Sequence, residues 1–207
     1  MLANTLECPR RGIRGRKDRL LWNHPGLSQV PASLSLSSSA FPDGGVIPIH
    51  HAGRGTGRNV SPPLRWSDVP IQAVELALIV ENLDVRPTRR TDPVPLLATG
   101  ISPSVSGFVE GDLSPGFIPA NIHSFGTCAF GHTGYRGPMS ISNHRRHQYV
   151  FQLFALDIRL NWEMPPTRTT FLKAIRGHVL ARGRLDGFFL WMENFPKERW
   201  GVLRLQE

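Results

Sequence analysis

Two side chains able to donate directed hydrogen bonds, His147 and Tyr149, stand one residue apart, shortly after the stretch Gly134-Tyr-Arg-Gly-Pro138. An imidazole and a phenol can both donate to a small anion, and glycines let backbone N–H groups approach such a group closely. With Arg136 between the glycines, the set suits a phosphate-bearing headgroup. It equally suits a plainer role, in which His147 and Tyr149 cap a core strand by bonding to backbone, as polar-tipped aromatics do when buried. On the residues alone both readings stay open.

The element that must position the pair is the run that follows, Val150-Phe-Gln-Leu-Phe-Ala-Leu156. It is short, aromatic and bounded by turn signals, which predicts a central strand buried on both faces. Side chains alternate along a strand, so His147, Tyr149, Phe151 and Leu153 share one face.

Composition bounds the rest. In 207 residues, 40% hydrophobic content supplies a core, and 18 Pro with 20 Gly favour many short strands joined by turns over a helical bundle. The net charge of +8 is concentrated: residues 1–19 hold Arg10, Arg11, Arg14, Arg16, Lys17 and Arg19 against Glu7 and Asp18, half of the total. That reads as a solvated basic tail, without the basic helix or aromatic motif of a specific nucleic-acid binder. Cys8 and Cys128 make neither a disulfide framework nor a metal set. No stretch is long and apolar enough for a transmembrane segment and no secretory signal is visible, so the expected location is cytoplasmic, although an Arg-rich start also suits mitochondrial import.

Along the chain, Ser33–Ser37 alternates as a half-buried strand and Val46-Ile-Pro-Ile49 reads as a short edge strand, since Pro48 cannot donate to a ladder. Gly53–Pro63 has the glycines of a phosphate loop but not its Lys-Ser/Thr ending, and is expected to be an ordered surface loop. Further strands are expected at Leu64–Trp66, Val74–Glu81 and Leu96–Ile101. Residues 102–133 read as a long surface excursion. Phe171, Leu172, Ile175 and Val179, behind Thr169-Thr170, have the spacing of one amphipathic helix, which Gly177 would weaken. Leu185–Trp191 reads as a closing turn and strand, and the last sixteen residues show no pattern. The resulting division is a basic tail over 1–19, one domain over 20–190 and an extension over 191–207.

Catalytic signatures are missing. There is no Gly-x-Ser-x-Gly elbow and no His-Glu-x-x-His, and His50, His51, His123, His132, His144 and His178 have no metal-ligand spacing. The expectation is a protein that is not an enzyme, with no cofactor and no metal.

Taken together, Ser61-Pro-Pro-Leu-Arg-Trp66, Glu81-Asn-Leu-Asp84, Gly134-Tyr-Arg-Gly-Pro138, His147-Gln-Tyr149 and Gly177-His-Val-Leu180 resemble the phosphatidylethanolamine-binding protein family, also called Raf kinase inhibitor-like, and most of all its bacterial and fungal members. The resemblance spans roughly residues 20–190. It implies an all-β dominated antiparallel sandwich in Greek-key order with one or two C-terminal or peripheral helices. It also implies a small anion pocket at one end of the sandwich. Carried over by position, the ligand-binding residues are Asn82, Asp84, Gly134, Gly137, Pro138, His147 and Tyr149. His147 and Tyr149 would donate to the anion, the Gly137 region would contribute amides, and Asp84 would orient His147 or receive an ammonium.

The chain departs from the family pattern at four places, one of them the Pro-Pro after Gly, reduced here to Pro138-Met139. Asn82 replaces an acid, Arg86 pushes Pro87 one place along, and Pro95 holds the position of a strand histidine, removing a donor. Function is therefore expected to be binding of phosphate, phosphoethanolamine or a phosphorylated protein. The alternative is inhibition of a kinase or protease partner through loops and termini, with a vestigial pocket.

Overall fold

The apolar run after Tyr149 lies at the heart of a six-stranded sheet. This is seen in a computed structural model that describes residues 17–85, 94–116, 118–128, 131–139 and 146–190. Cys8, Arg86, Pro87, His144, most of the basic tail and the extension 191–207 fall outside these described residues. The strands are β1 Ser35–Ser37, β2 Gly45–Val46, β3 Leu64–Ser67, β4 Glu75–Asn82, β5 Leu96–Ile101, β6 Gly107–Phe108, β7 Ser124–Phe125, β8 Arg146–Leu156 and β9 Val179–Leu190. A helix, α1, spans Arg168–Ile175 between β8 and β9.

The large sheet runs β2-β9-β8-β4-β5-β7, and the small one β1-β3-β6. Every pairing is antiparallel except β2 with β9, which run parallel. The mostly-β, two-sheet architecture expected from the sequence is therefore present, with open sheet edges and one α-helix among the described residues.

Burial explains why β4 and β8 read as apolar runs rather than alternating ones. Inward, Leu76, Leu78, Val80, Tyr149, Phe151 and Leu153 join Leu36, Leu64, Trp66 and Phe108 in the core between the sheets. Outward, Ala77, Ile79, Leu97 and Phe154 are covered by Phe171 and Ile175 of α1 and by Leu21 and Leu27. Each of those two helix side chains contributes about 1.5–3 kcal/mol by leaving water. Both faces are thus closed.

Four local expectations are corrected. The helix starts earlier than Thr169-Thr170 implied, with Thr167 as its N-cap: Thr167 Oγ1 accepts from the Thr170 N–H at 3.2 Å, and the Thr167 N–H donates to Thr170 Oγ1 at 2.8 Å. It ends at Ile175, so Gly177, at φ +82°, lies beyond the helix in the left-handed region, and Val179 opens β9. Leu185-Asp-Gly is no turn; it lies inside β9, where a Cβ on Gly187 would come within 2.7 Å of Ile47. An Asp-Gly pair signals a turn, but here the packing of Ile47 demands the missing side chain. Residues 102–133 are more than a surface excursion, since they give a strand to each sheet and bury Leu113 and Ile122 in the inner core. Val46 is at a sheet edge as expected, but its strand stops there, and Ile49–His51 turns as a 3-10 helix.

No described helix is long and apolar enough to cross a membrane.

Candidate functional site

Antiparallel pairing sets Asn82, the last residue of β4, opposite Tyr149 of β8, so the two side chains share the inward face with His147. There Asn82 Nδ2 lies 3.4 Å from His147 Nδ1. The amide's orientation is fixed independently, because its Oδ1 accepts the Asp84 N–H at 2.9 Å. The NH2 group therefore faces the ring, Nδ1 accepts, and Nε2 is the ring's N–H donor. Asp84 is itself fastened to β8, its Oδ2 accepting the Gln148 N–H at 2.8 Å, while the Leu83 N–H bonds the Gln148 carbonyl at 3.0 Å. Four of the expected residues, Asn82, Asp84, His147 and Tyr149, meet at this mouth of the sheet.

Tyr149 is almost wholly buried. Burial, followed by the nearby Asp84 carboxylate, pushes its phenol well above the ordinary range, while hydrogen bonds with the Met139 backbone and the Asn82 side chain act the other way. A phenol is protonated at neutral pH in any case, and burial extends that to more alkaline pH. It is a donor, not a base.

The Gly134–Pro138 loop reaches this mouth through Met139. Its glycines answer to close packing. A Cβ on Gly137 would sit 2.0 Å from the His51 carbonyl oxygen, and Gly134 has φ +80°. The loop amides are committed within the fold: Tyr135 N–H to the Leu113 carbonyl at 2.6 Å, Arg136 N–H to the Pro95 carbonyl at 2.9 Å, and Gly137 N–H to Asn59 Oδ1 at 2.9 Å. This corrects the expectation that amides of the Gly137 region face a ligand. The Pro138 carbonyl accepts from Gly53 at 2.7 Å, and the Tyr135 hydroxyl donates to the His51 carbonyl at 3.0 Å. Pro95 is buried, and it joins the loop through its carbonyl, the one backbone polar group proline retains.

Next to the mouth, and sharing Met139 with it, is a cleft of about 290 Å³ lined by Arg54, Asn59, Pro115, His132, Gly134, Tyr135, Arg136 and Met139. Two guanidiniums and an imidazole make its lining basic. Gly134 is the expected site residue it contains, whereas His147 and Tyr149 lie at the strand mouth beside it.

Asn59 was not singled out from the sequence. It clamps the loop at both ends, its Nδ2 donating to the Tyr135 carbonyl at 3.3 Å and its Oδ1 accepting from Gly137. The available signal was an Asn in a glycine-rich stretch, a residue that tolerates the left-handed backbone found there at φ 56°.

Comparison with known proteins agrees with this fold. The model of the family described as phosphatidylethanolamine-binding protein matches residues 37–190. A UPF0098 protein of Chlamydia trachomatis is 36% identical over 159 residues, covering 75% of this chain and 98% of that protein. Among solved structures, a phosphatidylethanolamine-binding protein homologue from Chlamydia trachomatis superposes with a TM-score of 0.66 at 34% identity, over 78% of this chain and 99% of the other. Escherichia coli YbcL, a member of the mammalian family, superposes with a TM-score of 0.68 over 78% of this chain and 100% of its own; at 20% identity that likeness concerns the fold.

Proposed function

The chain belongs to the phosphatidylethanolamine-binding protein family, and from that premise we propose that it is a binding module for a small phosphate-bearing group, acting without turnover chemistry. The observation that carries the proposal is the Asn82 amide on His147 Nδ1, which sets the ring with its N–H at Nε2 on the same strand face as the Tyr149 phenol. Two fixed donors at the mouth of a rigid sheet suit the oxygens of a phosphate. Groups that donate but neither attack nor abstract protons support binding over catalysis.

Asp84 is the acid placed to meet an ammonium group, as in phosphoethanolamine. Arg54 and Arg136 in the adjoining cleft add positive charge for a negatively charged ligand. A lipid headgroup and a phosphorylated side chain present the same phosphate, so the comparison of phosphoethanolamine with phosphoserine distinguishes them.

The test is an amide NMR titration with inorganic phosphate, phosphoethanolamine and phosphoserine. Saturable shifts around residues 82–84, 134–139 and 147–149 are expected, lost in His147→Ala and Tyr149→Phe variants whose spectra otherwise match the parent. Unchanged binding in both variants would refute the assignment.

A further inference from the structure

We propose that His50, His51 and Glu110 form a binding site for a divalent transition-metal ion of the Zn2+ class. His50 and His51 lie on the 3-10 turn Ile49–His51, and Glu110 lies just past β6. His50 Nε2 is 3.0 Å from Glu110 Oε1 and His51 Nε2 is 4.0 Å from Glu110 Oε2, and the three ligand atoms fall within 4.8 Å of one another. Donors about 2.0–2.1 Å from a tetrahedral Zn2+ stand roughly 3.4 Å apart, so these spacings bracket what the ion requires. Two imidazoles and one carboxylate are also a donor set that Zn2+ favours, with a fourth position left for water.

A simple ion pair between half-exposed His50 and Glu110 would account for those two residues but not for His51. That ring is buried, and its Nδ1 lies 2.9 Å from the Val60 carbonyl. A carbonyl can only accept, so Nδ1 carries a proton, and in the neutral ring Nε2 turns its lone pair toward the carboxylate. This is the carbonyl-supported arrangement by which proteins orient ligating histidines.

The supports converge on one short segment. Val60 takes the His51 ring, and the neighbouring Ser61 carbonyl accepts the Gly111 N–H at 3.0 Å, fixing the turn that presents Glu110. That turn is closed by the Val109 N–H on Asp112 Oδ2 at 2.9 Å. On its other side His51 is held by the Tyr135 hydroxyl, so a metal here would abut the loop of the anion site without sharing its residues.

The experiment uses the full chain free of any histidine tag. Zn2+ is titrated against a chromophoric chelator, and Co2+ uptake is followed by visible absorption. The parent should bind one Zn2+ per chain and show the intense bands of tetrahedral Co2+. His50→Ala and Glu110→Gln, both at accessible positions, should weaken Zn2+ binding by at least roughly tenfold while keeping the metal-free melting temperature. Absence of stoichiometric binding by the parent overturns the proposal. So does parental affinity in both variants, which would place the ion elsewhere. His51→Ala adds a third arm, and the two accessible variants decide the question if it fails to fold.

Discussion

Glu81 and Asn82 are neighbours on β4, yet their side chains lie on opposite faces of the sheet. Glu81 points outward and is closed in on every side. Its Oε1 accepts from Arg168 Nε at 2.6 Å, and its Oε2 accepts from the Leu21 N–H at 2.9 Å and Gln152 Nε2 at 2.7 Å. It joins α1, β8 and the segment leading into the domain, and Arg168 also donates to the Arg19 carbonyl. Asn82 points inward and, with Asp84, His147 and Tyr149, makes a cluster at the sheet's mouth, where His147 is half-buried. The difference teaches how to separate structure from site. A buried charge bonded to three separate elements fastens them together, whereas the polar groups gathered at the strand mouth are those we propose to meet a ligand.

The comparison breaks most visibly at Arg168. Removing it in Arg168→Ala leaves a buried carboxylate without its cation and should cost about 3–5 kcal/mol of stability in urea denaturation. Affinity for phosphoethanolamine, measured on the folded fraction, should be unchanged. His147→Ala should do the reverse, weakening phosphoethanolamine binding by about 1.5–3 kcal/mol, the worth of a hydrogen bond to a charged group, in calorimetric titration. Its urea midpoint should stay near the parent's.

A pH test sharpens the inner side. Tyr135 and Tyr149 are the chain's two tyrosines; burial raises the pKa of each, with Tyr149 adding to the effect on Tyr135 and Asp84 to that on Tyr149. The folded state therefore holds these protons to higher pH than the unfolded chain, whose phenols release them near about 10. Stability should accordingly be unaffected by them below that pH and fall as pH rises above it. Ultraviolet phenolate absorbance should appear together with unfolding, not before it. The smallest effect belongs to Gly177→Ala, where nothing lies within 4 Å of the added Cβ, so the loss of about 1–2 kcal/mol comes from the left-handed backbone alone.

Much of this was legible in the sequence where a single local rule sufficed. The apolar runs of β4 and β8 announced strands buried on both faces, and His147-Gln-Tyr149 announced a shared face at the entrance to one of them. What escaped depended on partners distant in sequence. Gly187 looked like a turn because Ile47, which requires it, is far along the chain. Gly137 looked like an amide donor to a ligand because nothing nearby shows that Asn59 already takes its N–H. The proposed His50-His51-Glu110 site has no signature in the sequence, because Glu110 comes from a different strand connection and Val60, which orients His51, contributes only a carbonyl. Pro95 reads in the sequence as a lost donor; its carbonyl bond to the Arg136 amide, invisible there, anchors the loop.

The central claim, that the inward cluster of β4 and β8 holds a phosphate through His147 and Tyr149, is tested most directly by a crystal structure of the protein soaked with phosphoethanolamine. The account predicts phosphate density within hydrogen-bonding distance of His147 Nε2 and Tyr149 Oη, with the ammonium turned toward Asp84. Ligand density confined to the cleft of Arg54 and Arg136, with the strand mouth unvisited, would contradict it.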